Sequence, residues 1–80
     1  MKVKILAFGI AKDILGNREM QLALPENATV AALRAQLTTQ YPELKKLNTL
    51  AVAINGAYAE NEATIEDSDE VVLIPPVSGG

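Results

Sequence analysis

The sequence predicts an α+β fold in which a mixed β-sheet carries one main helix on one of its faces. Three observations support this prediction. Several segments show strand-like alternation of apolar and polar residues, one segment has sustained helical spacing, and 80 residues suffice for one small domain. The helical segment lies between two groups of strands, an order that favours one helix packed on one sheet.

The first half of the chain is predicted to form a hairpin followed by the main helix. Apolar and polar residues alternate over residues 3–8 and again over residues 19–24, which indicates two strands. Between them we expect a single helical turn that ends at Gly16, because glycine commonly follows the last residue of a helix. Thr29 is a suitable N-cap for the main helix, which should end before Pro42.

The second half is predicted to contain three more strands. Asn55-Gly56 is a strong signal for a tight turn, so a strand over residues 50–54 should pair with a short strand over residues 57–59. An acidic connection anchored by Ile65 leads to the last strand, residues 70–74. This order fits the β-grasp arrangement of ubiquitin-like proteins, in which the first and last strands lie side by side in the middle of the sheet.

The parity of the strands predicts apolar residues on both faces of the sheet. The residues expected beneath the helix are Val3, Ile5, Met20, Leu22, Leu24, Val52, Ile54, Val71 and Leu73. Leu6, Phe8, Val72 and Ile74 have the opposite parity, and they form one apolar patch if the first and last strands are neighbours. Exposed apolar patches of this kind mark partner surfaces. The alternative is a register shifted by one residue, or a bulge that buries some of the four.

Composition excludes several classes of function. The chain has no Cys and no His, which excludes a thiol nucleophile, disulfides and zinc sites built on those ligands. Its net charge of -3 argues against non-specific binding of nucleic acid. No apolar run approaches the roughly 18 residues of a membrane span, and no signal peptide is evident. We therefore expect a cytoplasmic protein without a metal site, a cofactor site or a membrane partner.

The ending I-P-P-V-S-G-G is the most informative segment. Pro75 and Pro76 restrict φ and should make the tail project as an extended arm. Gly79 and Gly80 have no Cβ, so the tail is thin enough to thread a narrow channel. The α-carboxylate of Gly80 is inert toward nucleophiles, but adenylation by ATP would open it to attack by sulfur or an amine. Taken alone, Gly-Gly also fits a linker remnant.

Five segments together carry a family resemblance. They are V-K-I-L-A-F at 3–8, K-D-I-L-G at 12–16, T-V-A-A-L-R at 29–34, A-V-A-I-N-G at 51–56 and D-S-D-E-V-V-L-I-P-P-V-S-G-G at 67–80. With these segments the whole chain resembles the small, sulfur-carrier subunits of molybdopterin synthase, the MoaD family of ubiquitin-like β-grasp proteins. Ser78 stands where Thr is also common in the family, and Lys12 stands where Arg is also seen.

The resemblance implies a mechanism and two partners. A MoeB-type enzyme, similar to ubiquitin-activating enzymes, would use ATP to adenylate Gly80, and a persulfide sulfur would then convert it to a thiocarboxylate. The tail would enter the active site of a MoaE-type large subunit and donate sulfur to cyclic pyranopterin monophosphate. Two large subunits would form a central dimer with one small subunit at each end. This chain would be a sulfur-donating subunit without catalytic side chains, which are expected on the large subunit.

Carried over to this sequence, the resemblance assigns three groups of residues. Gly80 would bear the adenylate and the thiocarboxylate. The tail that is inserted would comprise Pro75, Pro76, Val77, Ser78 and Gly79. The partners would dock on Leu6, Phe8, Lys12, Val72 and Ile74. We expect residues 1–76 to form a single β-grasp domain and residues 77–80 to form the extended Gly-Gly tail.

Three other functions remain open from the sequence. A ThiS-type sulfur carrier of another pathway would share the fold, the tail and the chemistry. A ubiquitin-like modifier would instead join Gly80 to lysines of other proteins, since an amine can attack the same adenylate. A β-grasp binding module would make no use of the Gly-Gly ending.

Overall fold

The strand-like segments of the sequence form one five-stranded sheet. The computed structural model describes residues 1–47 and 50–75. In chain order the elements are β1 (Lys2–Ala7), α1 (Gly9–Leu15), β2 (Glu19–Ala23), α2 (Val30–Gln40), a 3-10 helix (Pro42–Lys46), β3 (Ala51–Ile54), β4 (Ala57–Tyr58) and β5 (Glu70–Ile74).

The last strand lies in the middle of this sheet, whose strand order is β2-β1-β5-β3-β4. β1 runs parallel to β5, with Leu6 opposite Val72, and the other neighbouring strands are antiparallel. The central pairing of the first and last strands confirms the predicted β-grasp fold. Because β1 and β5 run in the same direction, their carboxyl ends meet at one end of the sheet.

The main helix α2 begins and ends where the sequence predicts. The hydroxyl of Thr29 accepts a hydrogen bond from the backbone N–H of Ala32 at 3.2 Å and caps the first turn. Val30, Leu33 and Leu37 are buried at helical spacing. The helix ends at Gln40, since Pro42 disfavours helical geometry in the residue before it and begins the 3-10 helix.

The core lies between α2 and one face of the sheet. Seven of the nine predicted core residues are buried in it, namely Val3, Ile5, Leu22, Leu24, Val52, Val71 and Leu73. Met20 and Ile54 are half-buried and pack against its margin. They receive less cover because Met20 lies on the edge strand β2 and Ile54 is the last residue of β3. Within residues 1–47 and 50–75, no polar side chain is buried.

The short helix α1 is longer than the single turn that the sequence predicts. It spans seven residues, because Ala11 and Leu15 lie four residues apart and both are buried in the core. Gly16 ends it as predicted, with φ of 80° and its N–H bonded to the carbonyl of Lys12 at 2.8 Å. At the other end, β1 stops at Ala7, one residue earlier than predicted, because the chain turns away from the sheet at Gly9, where φ is +56°.

A polar network joins the β3–β4 turn to the start of β5. The Asn55 side chain donates a hydrogen bond to the Asp69 carboxylate at 2.9 Å and accepts one from the backbone N–H of Glu70 at 2.9 Å. The second oxygen of Asp69 accepts from the backbone N–H of Glu66 at 2.8 Å. Ile65 is fully buried and anchors the acidic connection as predicted. The network therefore fixes the turn relative to the central strand.

Among the residues that the structure describes, no helix is both long and apolar enough to cross a membrane.

Candidate functional site

The face of the sheet opposite α2, here called the outer face, carries the residues predicted to bind partners. Leu6 and Val72 are direct partners in the parallel β1–β5 pair, and both are half-buried. Val71 and Leu73, which flank Val72 in β5, are fully buried on the core side. The strand parity is therefore as the sequence predicts, without a one-residue shift.

Phe8 and Ile74 continue the apolar surface toward the end of the sheet. Ala7 and Leu73 are the last pair of the parallel register, and Phe8 and Ile74 are the next residue of each segment. Phe8 precedes α1 in an extended conformation and keeps 48% of its surface exposed, while Ile74 is half-buried. We call Leu6, Phe8, Val72 and Ile74 the outer-face patch. It lies at the end of the sheet from which the tail leaves.

The other half of the outer face is polar. Lys4 lies between Gln21 of β2 and Glu70 of β5 in the register, and all three side chains are exposed. The outer face is thus divided along its strands. Its polar half lies away from the tail, and its apolar half lies beside it.

Lys12, the remaining docking residue predicted from the sequence, lies on α1. Its side chain is exposed, and its backbone N–H bonds to the carbonyl of Phe8 at 3.3 Å. Lys12 therefore lies one helical turn from Phe8 and outside the sheet. Its position adds a positive charge near an otherwise apolar surface.

Two residues that the sequence analysis missed extend the patch across the sheet. Ala53 pairs with Val72 on one side and with Tyr58 on the other, so all three share the outer face. Ala53 is buried but lies outside the hydrophobic core cluster, and Tyr58 is 76% exposed. Counting outward from the predicted Asn55-Gly56 turn pairs Ala53 with Tyr58, so the signal was present in the sequence.

Ile10 is a further exposed apolar residue that the sequence analysis did not select. It lies in the first turn of α1 and is 49% exposed. With Phe8 it flanks Gly9, where the chain turns out of the sheet. Ile10 belongs to no strand pattern, and the single helical turn predicted there was too short to show which side of the helix would be exposed.

The described part of the tail is its first residue. Pro75 is half-buried, and an ideal Cβ built on Gly9 would lie 3.2 Å from its Cγ atom. The other predicted tail residues, Pro76, Val77, Ser78, Gly79 and Gly80, lie outside the described residues. The tail thus begins in contact with the first residue of α1, directly beside the outer-face patch.

The surface beside the base of the tail is mainly apolar. In residues 1–47 and 50–75, no three acidic side chains are grouped so as to hold a metal ion. The sequence supplies no Cys and no His, and the exposed groups near the tail are mainly apolar. A surface of this kind can hold another protein while the tail is presented to it.

Comparison with known proteins identifies the family. The model of the ThiS family matches residues 5–80 of the chain. The chain belongs to the ThiS family. It is 30% identical over 81 residues to the molybdopterin synthase sulfur carrier subunit of Arabidopsis thaliana, a match that covers 100% of this chain and 84% of that protein.

Solved structures of similar proteins share the fold of this ThiS-family chain. The small archaeal modifier protein 1 from Methanosarcina acetivorans has a TM-score of 0.82 and 28% identity, covering 99% of this chain and 96% of that one. The complex of subunits 1 and 2 of the molybdopterin-converting factor from Helicobacter pylori contains a chain with a TM-score of 0.71 and 26% identity, with 100% of both chains covered.

Proposed function

We propose that this chain is the sulfur carrier subunit of molybdopterin synthase. The observation that carries the proposal is the position of the outer-face patch, which lies beside the base of a tail ending in Gly79-Gly80. The match to curated sulfur carrier subunits over the whole chain supports the same function.

The proposed chemistry takes place at Gly80. Its carboxylate oxygen attacks the α-phosphate of ATP, pyrophosphate leaves, and an acyl adenylate forms. A persulfide sulfur then attacks the carbonyl carbon and AMP leaves. A thiol cleaves the resulting acyl disulfide and releases the thiocarboxylate. Glycine suits these steps because it has no side chain to shield its carbonyl carbon from the attacking sulfur.

In this proposal the tail delivers the sulfur and the domain docks it. Residues 1–76 form the domain and residues 77–80 its extended Gly-Gly tail. The segment inserted into the partner comprises Pro75, Pro76, Val77, Ser78 and Gly79, with Gly80 as the reacting residue. The thiocarboxylate donates its sulfur to cyclic pyranopterin monophosphate in the active site of the large subunit. The catalytic side chains belong to that subunit, and two large subunits join two carriers in a heterotetramer.

The outer-face patch is the proposed docking surface for the MoaE-type large subunit. The Helicobacter pylori complex, in which a similar chain is bound to subunit 2, supports a partner of this type. Partly exposed aromatic residues surrounded by aliphatic ones are typical of residues that dominate binding energy. Phe8 occupies such a position, and Tyr58 extends the same surface toward β4.

The second proposed partner is a MoeB-type adenylating enzyme with ATP. It must reach Gly80 through the same tail, so it is expected to dock on the outer-face patch as well. We place the reaction in the cytoplasm, where ATP is available and thiols are kept reduced.

A reconstituted sulfur-transfer reaction tests the proposal. The chain is incubated with the activating enzyme, ATP, a sulfur donor, the large subunit and the pterin substrate, and the dithiolene product is measured. We expect product with the full chain and no product with a variant lacking Gly80. That variant should unfold at the same denaturant concentration as the full chain, because the tail should contribute little to the core. Product formation by the Gly80 deletion would contradict the proposal.

A second candidate function is protein modification, favoured by the similarity to small archaeal modifier protein 1. In that reaction a lysine amine displaces AMP from Gly80 and forms an isopeptide bond. Adducts that survive a denaturing gel and carry a Gly-Gly remnant on lysine would establish it. If no such adducts form under conditions that produce the thiocarboxylate, protein modification is contradicted and sulfur transfer is the function that remains.

A further inference from the structure

The first residue of α1 touches the first residue of the tail. Gly9 adopts a left-handed φ of +56°, and a Cβ added there would meet the Pro75 ring at 3.2 Å. That separation is closer than ordinary van der Waals contact, so the ring would have to move by a few tenths of an ångström. The contact therefore depends on the absence of a side chain at residue 9.

The strand register helps to explain why these two residues meet. Ala7 and Leu73 are the last pair of the parallel β1–β5 register, and Gly9 and Pro75 each follow two residues later in their chain segments. At this point the two chains diverge, because the left-handed turn at Gly9 directs β1 into α1 while β5 continues toward the tail. Proline cannot extend the ladder through its missing N–H.

We propose that Gly9 is a positioning residue for sulfur transfer. Its missing Cβ allows the Pro75 ring to lie against the start of α1, and this contact sets the direction in which the tail leaves the sheet. The inference rests on the proposed carrier function, because only a carrier needs its terminal carboxylate delivered to one place. Gly9 acts through Pro75 and touches neither substrate nor partner in this account.

A small displacement at Pro75 is amplified at Gly80. The five residues after Pro75 span at most about 17 Å when a partner's channel extends them, so a rotation of about 5° at Pro75 moves the carboxylate by about 1.5 Å. A misplacement of about 1 Å at a reacting group can reduce a rate about a hundredfold. Contacts with the channel will correct part of the error, and we expect a loss of about tenfold.

Gly16 provides a matched control at the other end of the same helix. It also has a left-handed φ, of +80°, but an added Cβ would meet nothing within 4 Å. Substitution at either glycine strains the backbone, since residues with a side chain rarely adopt positive φ. Only substitution at Gly9 also displaces the tail.

The test compares Gly9→Ala with Gly16→Ala in the reconstituted reaction. Both variants should lose stability to a similar extent in chemical denaturation. Gly9→Ala should lower the maximal rate of transfer about tenfold, with little change in the concentration of large subunit that gives half the maximal rate. Gly16→Ala should retain the wild-type rate. The paired variants Gly9→Asn and Gly16→Asn repeat the comparison with a residue that tolerates positive φ, in case Gly9→Ala folds poorly.

A double-mutant cycle with Pro75 distinguishes a positioning role of Gly9 from general destabilisation of the fold. Pro75→Ala removes the Cγ atom that a Cβ at residue 9 would meet. In that background, Gly9→Ala should change the maximal rate by less than about twofold, a non-additive result typical of residues in contact. The inference is overturned if the Gly9 variants transfer sulfur as fast as the Gly16 variants, or if Pro75→Ala leaves the loss unchanged. A wild-type chain that transfers no sulfur refutes the proposed function instead.

Discussion

Phe8 shows at the scale of one residue how the chain leaves a large apolar side chain outside its core. Full burial of a phenylalanine side chain would contribute about 2 to 3 kcal/mol to stability, yet Phe8 keeps nearly half of its surface in solvent. The neighbouring core instead uses aliphatic side chains such as Val71 and Leu73, which are fully buried. Phe8 therefore has much of its apolar surface available to a partner.

We predict that Phe8→Ala weakens binding of the large subunit by more than about tenfold while lowering the free energy of unfolding by less than about 1 kcal/mol. Titration calorimetry and urea denaturation measure the two quantities. Leu33→Ala is the comparison, because Leu33 is fully buried and its truncation should cost about 2 to 5 kcal/mol of stability. A large stability loss with unchanged binding would show that Phe8 acts as a core residue.

At the scale of elements, the parallel β1–β5 pair divides its side chains between the core and the outer face. Successive side chains in β5 point to opposite faces, so Val71 enters the core beneath α2 while Val72 faces outward beside Leu6. The same pairing brings Phe8 and the base of the tail to one end of the sheet. The outer-face patch and the base of the tail at Pro75 are therefore brought to one end of the sheet by backbone hydrogen bonds.

Two neighbouring substitutions in β5 test this division. Val71→Thr places a hydroxyl in the core without a partner and should lower the free energy of unfolding by about 1 to 3 kcal/mol. Val72→Thr makes the same chemical change on the outer face, and we expect it to cost less than about 1 kcal/mol while weakening partner binding severalfold. Both variants keep a β-branched residue in the strand. Equal losses of stability would contradict the assignment of the two faces.

At the scale of the whole molecule, the proposed function requires one small domain to serve two partners in succession. In that proposal both partners need access to the tail, and the outer-face patch is an apolar surface beside its base. An 80-residue chain offers limited area for separate docking sites. Loading and delivery of sulfur are therefore expected to alternate, with the carrier released from one enzyme before it binds the other.

We predict direct competition between the activating enzyme and the large subunit. Adding activating enzyme should reduce binding of the carrier to immobilised large subunit. The reduction should be proportional to the fraction of carrier that is bound to the activating enzyme. Phe8→Ala should weaken both interactions, whereas Leu33→Ala should weaken neither in the fraction that remains folded. A stable complex of carrier with both proteins at once would contradict a shared surface.

Most of the fold followed from the sequence because its signals are local. Alternation in β1 and β5, the Thr29 cap and the Asn55-Gly56 turn each involve residues close together in the chain. The length of α1 did not follow, since it depends on the burial of Ala11 and Leu15 against distant strands. The Gly9–Pro75 contact did not follow from the sequence for the same reason. It forms just beyond the ends of two paired strands, β1 and β5, that are distant in the chain.

The candidate site was predictable in part for the same reason. Parity placed Leu6, Phe8, Val72 and Ile74 on one face, and the structure brings them to one end of the sheet. Tyr58 was missed because its place on the outer face depends on the residue-by-residue pairing of β3 with β4. The roles of Gly79 and Gly80 rest on the family resemblance and on the chemistry of a terminal glycine.

The most direct test of the carrier function is the intact mass of the chain after incubation with its activating enzyme, ATP and a sulfur donor. We predict a mass increase equal to the replacement of one oxygen by sulfur, located at Gly80 by fragmentation. We predict no such increase in the variant lacking Gly80 or in a reaction without ATP. If the mass of this chain stays unchanged with an activating enzyme that is shown to load another carrier, the carrier function is contradicted.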